Sequence, residues 1–333
     1  MPTVSIIVPN YNHGRFLEER LESIFNQTFQ DFEVILLDDC STDDSVEILK
    51  KYARRPQVKG LYVNEHNSGS PFVQWQKGIA FASGDYIWIA ESDDAAEAGF
   101  LEKTVAVLNA DKQLGLVYTQ SAIIDENSSV SGLYDYYSII HAARWKSDFR
   151  NHGKDEIMSF LGYANTIPNT SGVLFRAALM KSIRIPPDVT TIGDWYSWIT
   201  ILNRSDLFYL SEPLNRFRHT GQCTRNRDNL AKRRNGLLED IRIITHLYQD
   251  GTYDAGQYRK FCIYKLNFWA AEYVKRGSLR KDYFDILKQL KFFPVYLLPV
   301  LYCKLVVLYF RHKFKLGLKI RKIFKKLLLL PQS

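Results

Sequence analysis

The strongest chemical signal in the chain is an acidic quartet, Glu91-Ser92-Asp93-Asp94, directly after the apolar run 86–90. Three carboxylates this close repel one another unless a cation or hydrogen-bond donors answer them. Hard divalent cations such as Mg²⁺ and Mn²⁺ prefer oxygen ligands. Mg²⁺ in particular is commonly held by one or two carboxylates together with substrate phosphates. The quartet therefore points to a metal-chelated phosphate; taken alone, it reads equally as a solvated acidic turn capping the next helix. Two more polar sets follow apolar runs. Pro9-Asn10-Tyr11-Asn12 comes after residues 4–8, and Asp38-Asp39-Cys40-Ser41-Thr42-Asp43 after residues 34–37.

The elements needed to position these sets are legible. Short apolar runs at 4–8, 34–37, 60–64, 86–90 and 114–118 read as buried strands. Between them, 14–28, 41–51, 75–82 and 100–108 carry helical spacing, the first through Phe16, Leu17, Leu21, Ile24 and Phe25. Ser41 is a plausible N-cap for the second helix, with Asp43 and Asp44 in its first turn, where the macrodipole favours negative charge. Alternating strands and helices imply a mostly parallel sheet with helices on both faces. In such a sheet the carboxyl ends of the strands line the ligand crevice. All three polar sets then lie on one edge, which favours a functional site over three separate turns. Residues 131–170 are polar, aromatic and aperiodic, as an ordered insertion or an acceptor-facing surface would be. The pattern is mixed over 171–217 and helical over 228–290.

The 333 residues suffice for one large or two smaller domains, and 46% hydrophobic content supports a large core. The net charge of +8 is unevenly placed: residues 291–333 hold ten Lys or Arg and no Asp or Glu, which leaves residues 1–290 near neutral. A near-neutral body argues against nucleic acid as a partner. Cys40, Cys223, Cys262 and Cys303 form no metal-like spacing, which fits a reducing compartment. With no charged leader and no long apolar segment at the N-terminus, the body is expected in the cytoplasm.

Taken in order, Ser5-Ile6-Ile7-Val8-Pro9-Asn10-Tyr11-Asn12, Leu37-Asp38-Asp39-Cys40-Ser41-Thr42-Asp43, Asn67-Ser68-Gly69, Gly84-Asp85-Tyr86 and Ser92-Asp93-Asp94 resemble the family-2 glycosyltransferases of bacterial surface-polysaccharide synthesis. The resemblance extends over about residues 3–225 and is most specific in the first 120. It implies an inverting enzyme with a GT-A (Rossmann-like), mostly parallel sheet flanked by helices, followed by a C-terminal helical region. It also implies roles. Pro9 and Tyr11 would frame a nucleobase, with Tyr11 on its face. Asp39 would accept a hydrogen bond from the base, with Asp38 as a second contact. Asp93 would meet the ribose or the metal, and Asp94 would bind the divalent metal, Mg²⁺ or Mn²⁺, that bridges the diphosphate. Lys77 would add a positive charge near the phosphates or stand as an exposed helix lysine. Asp194, in Gly193-Asp194-Trp195, would be the base for the acceptor hydroxyl, its alternative being a helix N-cap; the usual preceding Glu is here Gly193. Arg218 or His219 would contact phosphate or metal. Asn169, Ser171 and Trp195 would lie on the acceptor side. Ala98 replaces a common Pro, and Glu91 stands where many relatives have Asp.

The tail adds a partner. Residues 294–310 are apolar but short for a membrane span and contain Pro299 and Lys304. Over 313–328, Leu316, Ile320, Ile323, Phe324, Leu327 and Leu328 share one helical face, opposite Lys315, Lys319, Lys322, Lys325 and Lys326. Such a basic amphipathic helix lies on an anionic membrane surface; docking on the protein's own body is the alternative. The expected organisation is a catalytic domain over 1–225, a helical extension over 226–290 and a membrane-associating tail over 291–333, peripheral at the inner face of the cell membrane. The expected reaction moves a sugar from a nucleotide sugar, a UDP-sugar by preference, to a glycan or polyprenyl-diphosphate-linked acceptor. Competing classes are a sugar nucleotidyltransferase, which usually has a glycine-rich loop where Pro9-Asn10-Tyr11-Asn12 stands, and a non-catalytic nucleotide-sugar-binding module.

Overall fold

The computed structural model describes residues 1–135, 141, 143–219 and 230–276. The chain divides into two compact units, one ending at Arg227 and the other starting at Asp228. In the first unit, β1 (Val4–Asn10), β2 (Phe32–Asp38), β3 (Val58–Val63), β4 (Tyr86–Ile89), β5 (Ala95–Ala96), β6 (Leu114–Ile124), β7 (Val130–Leu133), β8 (Phe149–Asn151), β9 (Val173–Arg176) and β10 (Asp206–Arg218) form one sheet. Its order is β3-β2-β1-β4-β9-β6-β10-β5, with β7 beside β6 and β8 beside β10. Neighbours in the β3-β2-β1-β4 half are parallel, as are β6 and β10. The second half is mixed: β9 runs antiparallel between β4 and β6, and the short β5 antiparallel to β10. The expected mostly parallel sheet is thus present, with an antiparallel insertion.

Every residue of β1 and β4 is buried, as strands covered on both faces must be. One cover is α1 (Gly14–Phe25), which turns Phe16, Leu17, Arg20, Leu21 and Ile24 inward. The others in this half are α2 (Ser45–Tyr52), α3 (Pro71–Phe81) and α4 (Phe100–Ala110). Pro71 opens α3 at a position where no N–H is needed. Gly78 lets α3 lie against β1: an added Cβ would sit 2.4 Å from Ile7 Cγ2. Short helices α5 (Gly153–Glu156) and α6 (Ala177–Lys181) follow, then α7 (Gly193–Leu202), which is buried on nearly every side. The second unit contributes α8 (Leu230–Gln249) and α9 (Ala255–Arg276), with a Lys265–Asp240 ion pair at 3.1 Å.

The register aligns the strand ends that carry the site. Asn10 pairs with Asp38, and Ile7 pairs with both Ile35 and Ile89. The loops after β1, β2 and β4 therefore leave the same edge. One expectation fails locally. Helix α2 begins at Ser45, not at Ser41, and Asp44 is its N-cap. Ser41 is used instead by Asp38 and Asn12, as described below. Among the described residues, no helix is long and apolar enough to cross a membrane. The tail 291–333 lies outside the described residues.

Candidate active site

The site is built from the loops upward. Asp38 is fully buried and spent within the protein. It accepts hydrogen bonds from Asn10 Nδ2 (2.8 Å), the Ser41 N–H (2.8 Å) and the Ser41 hydroxyl (2.7 Å). The Asn12 N–H in turn donates to Ser41 Oγ at 2.9 Å, so Asp38 and Ser41 lock the first loop to the second. Both loops use left-handed backbone at non-glycine residues, Asn12 (φ 54°) and Cys40 (φ 66°). Asp38, expected as a second nucleotide contact, thus holds the two loops together.

Asp39 is more elaborately served. Its carboxylate accepts from Asn64 Nδ2 (2.6 Å), Gln74 Nε2 (2.7 Å), the Ser68 N–H (3.0 Å) and the Ser68 hydroxyl (2.7 Å). These donors arrive from the end of β3, the Asn67-Ser68-Gly69 turn and α3, and they fix the carboxylate as an acceptor. Lys77 donates to Asn64 Oδ1 at 2.6 Å, so it supports the Asp39 network from behind. Pro9 is buried at the end of β1. Tyr11 is 45% exposed.

The acidic quartet is held from three sides. Asp94 is buried, and each carboxylate oxygen has a partner: Oδ2 accepts from Asn169 Nδ2 (2.8 Å) and Oδ1 from the Arg218 N–H (2.8 Å). Asn169 Oδ1 is fixed by Asn215 Nδ2, which also donates to Ser121 Oγ. The Glu91 N–H donates to Ser171 Oγ at 3.1 Å, and the Ser171 carbonyl accepts from the Trp88 indole at 2.7 Å. Asn169 and Ser171, expected on the acceptor side, thus hold the quartet's backbone and carboxylate. Ser92 Oγ lies 2.9 Å from His13 Nδ1.

Arg218 is buried, and its guanidinium is consumed by Glu19, by the carbonyls of Asp93 and Asp125 and by Ser128 Oγ. Its expected phosphate contact is not available to that side chain; it braces the loop instead. His219 follows on the exposed side, its ring edge-on to Phe217 at 4.5 Å.

Burial first, and mutual repulsion second, disfavour charge in the quartet. Desolvation, then Asp93, pushes the Glu91 carboxyl up to about 8. Desolvation, then Asp94, pushes Asp93 up to about 6. Glu91 Oε1 accepts from the Trp75 indole at 2.8 Å. Beneath the loop lies Arg20, fully buried on the apolar face of α1. Its Nε donates to the Glu91 carbonyl at 2.8 Å. Burial pulls this guanidinium down to about 10 against the opposing pull of Asp94, Asp93 and Glu91.

Asp194 sits in the first turn of α7, half-buried. Its Oδ2 accepts from Asn165 Nδ2 (2.9 Å) and Oδ1 from the Trp195 N–H (2.7 Å). A chain of contacts ties this turn to the quartet. An added Cβ at Gly193 would lie 2.9 Å from the Phe72 ring. Phe72 meets Trp75 edge-to-face at 5.0 Å, and Trp75 holds Glu91. Any side chain in place of Gly193 would press on the Phe72 ring. Trp195, expected on the acceptor side, is 1% exposed and donates to the Leu161 carbonyl, so it sits in the core.

A divalent metal fits this donor set in a limited way. Among the described residues, no group of three or more His, Cys, Asp or Glu side chains is arranged to hold a metal alone. Asp93 and Asp94 offer adjacent carboxylates, and burial together with the Asp94 charge raises Asp93, a cost that a cation would offset. Two carboxylates plus phosphate oxygens suit a metal that arrives with its substrate.

Arg20, Trp75, Gln74, Asn64 and His13 were not picked out from sequence. Only Arg20 carried a signal: a charged residue in register with the apolar stripe of Leu17, Leu21 and Ile24.

The chain is similar to known proteins in sequence and in fold. A model of glycosyl transferase family 2 matches residues 5–179, more than half of the chain. A chondroitin synthase of Escherichia coli is 34% identical over 138 residues, which is 41% of this chain and 20% of the relative. The putative teichuronic acid biosynthesis glycosyltransferase TuaG of Bacillus subtilis is 27% identical over 218 residues, 65% of this chain and 79% of the relative. The matches span between 13% and 39% of the length of the first four curated relatives. Among solved structures, S. aureus TarS 1-349 in complex with UDP-GlcNAc superposes with a TM-score of 0.69 at 19% identity, covering 92% of this chain and 89% of that one. At that identity the likeness establishes a shared fold.

Proposed function

The chain belongs to glycosyl transferase family 2, and from that premise we propose that it is an inverting, metal-dependent glycosyltransferase. The donor is a nucleotide sugar, a UDP-sugar by preference. The acceptor is a hydroxyl of a glycan or of a polyprenyl-diphosphate-linked oligosaccharide in cell-surface polysaccharide synthesis. The observation that carries the reading is the presentation of Asp94. Its two oxygens are fixed by Asn169 and the Arg218 N–H, on the same sheet edge as the Asp39 network. Relatives point the same way: TuaG is named for teichuronic acid biosynthesis, and TarS was solved with UDP-GlcNAc.

In this reading Tyr11 stacks on the nucleobase and Asp39 accepts its N–H. A divalent cation held by Asp93 and Asp94 would supply Lewis-acid neutralisation of the leaving diphosphate. Asp194 takes the proton of the acceptor hydroxyl as that oxygen attacks the anomeric carbon opposite the leaving group. The bond from that carbon to the phosphate oxygen breaks, the nucleoside diphosphate leaves, and the anomeric configuration inverts with no covalent intermediate. Asn165 holds Asp194 in orientation. In this reading His219 meets the diphosphate or metal. The basic amphipathic stretch within 294–328 lays the catalytic body on the anionic inner face of the membrane, where a lipid-linked acceptor resides.

Asp194→Asn tests the assignment. The variant should lose transfer by three orders of magnitude or more while its UDP affinity, measured by calorimetry, stays near wild type. Normal turnover would remove Asp194 from the mechanism.

A further inference from the structure

The Asp39 carboxylate has no lone pair to spare. An ionised carboxylate offers about four acceptor sites. Four donors already converge on this one. Asn64 Nδ2 and Gln74 Nε2 donate to Oδ1, the Ser68 N–H lies 3.0 and 3.1 Å from the two oxygens, and the Ser68 hydroxyl donates to Oδ2 at 2.7 Å. A nucleobase N–H would be a fifth donor, so one of the four must give way.

The surroundings decide which. Asn64 is pinned from its far side, where Oδ1 accepts from Lys77 at 2.6 Å. Gln74 is buried, and among the described residues its Oε1 has no hydrogen-bond partner. Losing Asp39 would leave that amide wholly unpaired, the costly case for a buried polar group. The Ser68 N–H is fixed by its turn. Gly69 takes a left-handed backbone (φ 72°), its N–H donates to Asn67 Oδ1 at 2.7 Å, and Asn67 Nδ2 donates to the Asp39 carbonyl at 3.0 Å. The Ser68 hydroxyl differs. Its residue is exposed, its proton rotates, and a second acceptor, the Ser70 carbonyl, lies 3.1 Å from its oxygen. One hydroxyl hydrogen serves one of these acceptors at a time.

We propose that the Ser68 hydroxyl is a placeholder for the nucleobase. In the free protein it fills the Asp39 Oδ2 site. When the nucleotide enters, the hydroxyl proton turns to the Ser70 carbonyl and the base N–H takes the vacated site. The buried carboxylate is thus answered in both states. The exchange also lowers nucleotide affinity, so the product leaves more readily. The inference rests on the assignment of Asp39 as the acceptor for the base.

The test is calorimetry on the full chain with UDP and with 3-methyluridine 5′-diphosphate, which lacks the N3–H. Wild type should bind UDP more tightly than the methylated analogue. Ser68→Ala removes the rival donor and should tighten UDP binding about fivefold, the difference between a hydrogen bond to a charged acceptor and one to a neutral carbonyl. The same variant should hold the methylated analogue within about twofold of wild type, because that ligand makes no use of the freed site. Ser68→Thr keeps the hydroxyl and should match wild type for both. Ser68→Gly carries the alanine prediction if alanine disturbs the turn. A merely structural serine predicts weaker binding of both nucleotides once the carboxylate loses a donor. Unchanged or weaker UDP binding without the hydroxyl, or an equal gain for both nucleotides, overturns the proposal and leaves the Asp39 assignment standing. Equal affinity of wild type for the two nucleotides, or no binding of UDP, overturns the Asp39 assignment itself, and the placeholder with it.

Discussion

In the proposed function, Asp39 and Asp94 are single carboxylates prepared for ligands. Each is oriented by neutral donors, which hold an acceptor in place without cancelling its charge. Asp39→Asn would set an amide against the Asn64 and Gln74 amides. It should lower UDP affinity at least tenfold and cost about 1–3 kcal/mol of stability, the usual penalty for unmade buried hydrogen bonds. Calorimetry and urea melts measure the two effects separately. Asn169→Ala removes one of the two donors that fix Asp94. It should reduce kcat more than it raises the KM for donor, because the carboxylate remains but loses its aim. These acceptors were legible in the sequence because Asp residues at strand ends form recognisable sets. Their donors were not. Asn64, Gln74 and Ser68 come from three separate segments, and Asn169 and Arg218 are 75 and 124 residues from Asp94. Only folding brings them together.

At the scale of elements, close approach decides where α7 sits. Gly193→Ala puts a methyl against the Phe72 ring, which is wedged on Trp75. The first turn of α7 must move, and kcat should fall about tenfold or more with Asp194 intact, since small displacements of a catalytic group are expensive. Cys40 imposes a second constraint. Its left-handed backbone (φ 66°) disfavours branched side chains. Cys40→Val should lower stability by about 1–2 kcal/mol, whereas Cys40→Gly should be neutral or stabilising; thermal melts distinguish these. Glu33 on β2 gives a pH signature. Burial pushes its carboxyl up, but hydrogen bonds from Ser5, Ser83 and Lys59 outweigh it and hold the group below its ordinary value. A carboxyl depressed in the folded state stabilises above its unfolded value, about 4.3, and loses that contribution as pH falls through the folded value. Glu33→Gln should therefore melt lower than wild type at pH 7, with the gap closing in strongly acidic buffer. The strands and helices of residues 1–124 were legible from apolar runs and helical stripes. The start of α2 was not, because Asp38 and Asn12 compete for Ser41. Nor was the antiparallel β9, whose partners β4 and β6 are fixed by packing and not by any local pattern.

For the whole molecule, the charge distribution separates a near-neutral body from a basic tail. If the tail binds the inner membrane surface, the full chain should float with vesicles containing anionic phosphatidylglycerol and fall off in high salt. A chain truncated at residue 290 should stay unbound; equal behaviour of both would refute the membrane role. The family was legible because its motifs fall on strand ends in a fixed order. The sugar and acceptor were not, because they depend on the shape of the loops between 130 and 225. The central claim is chemical and is tested most directly by the products. Purified protein with Mn²⁺, an acceptor extract and a panel of UDP-, GDP- and dTDP-sugars should release a nucleoside diphosphate, UDP by expectation. Release should require the metal and fail in Asp194→Asn, and the new glycosidic bond should have the inverted anomeric configuration. Release of pyrophosphate, or a product that retains the donor's configuration, would contradict the account.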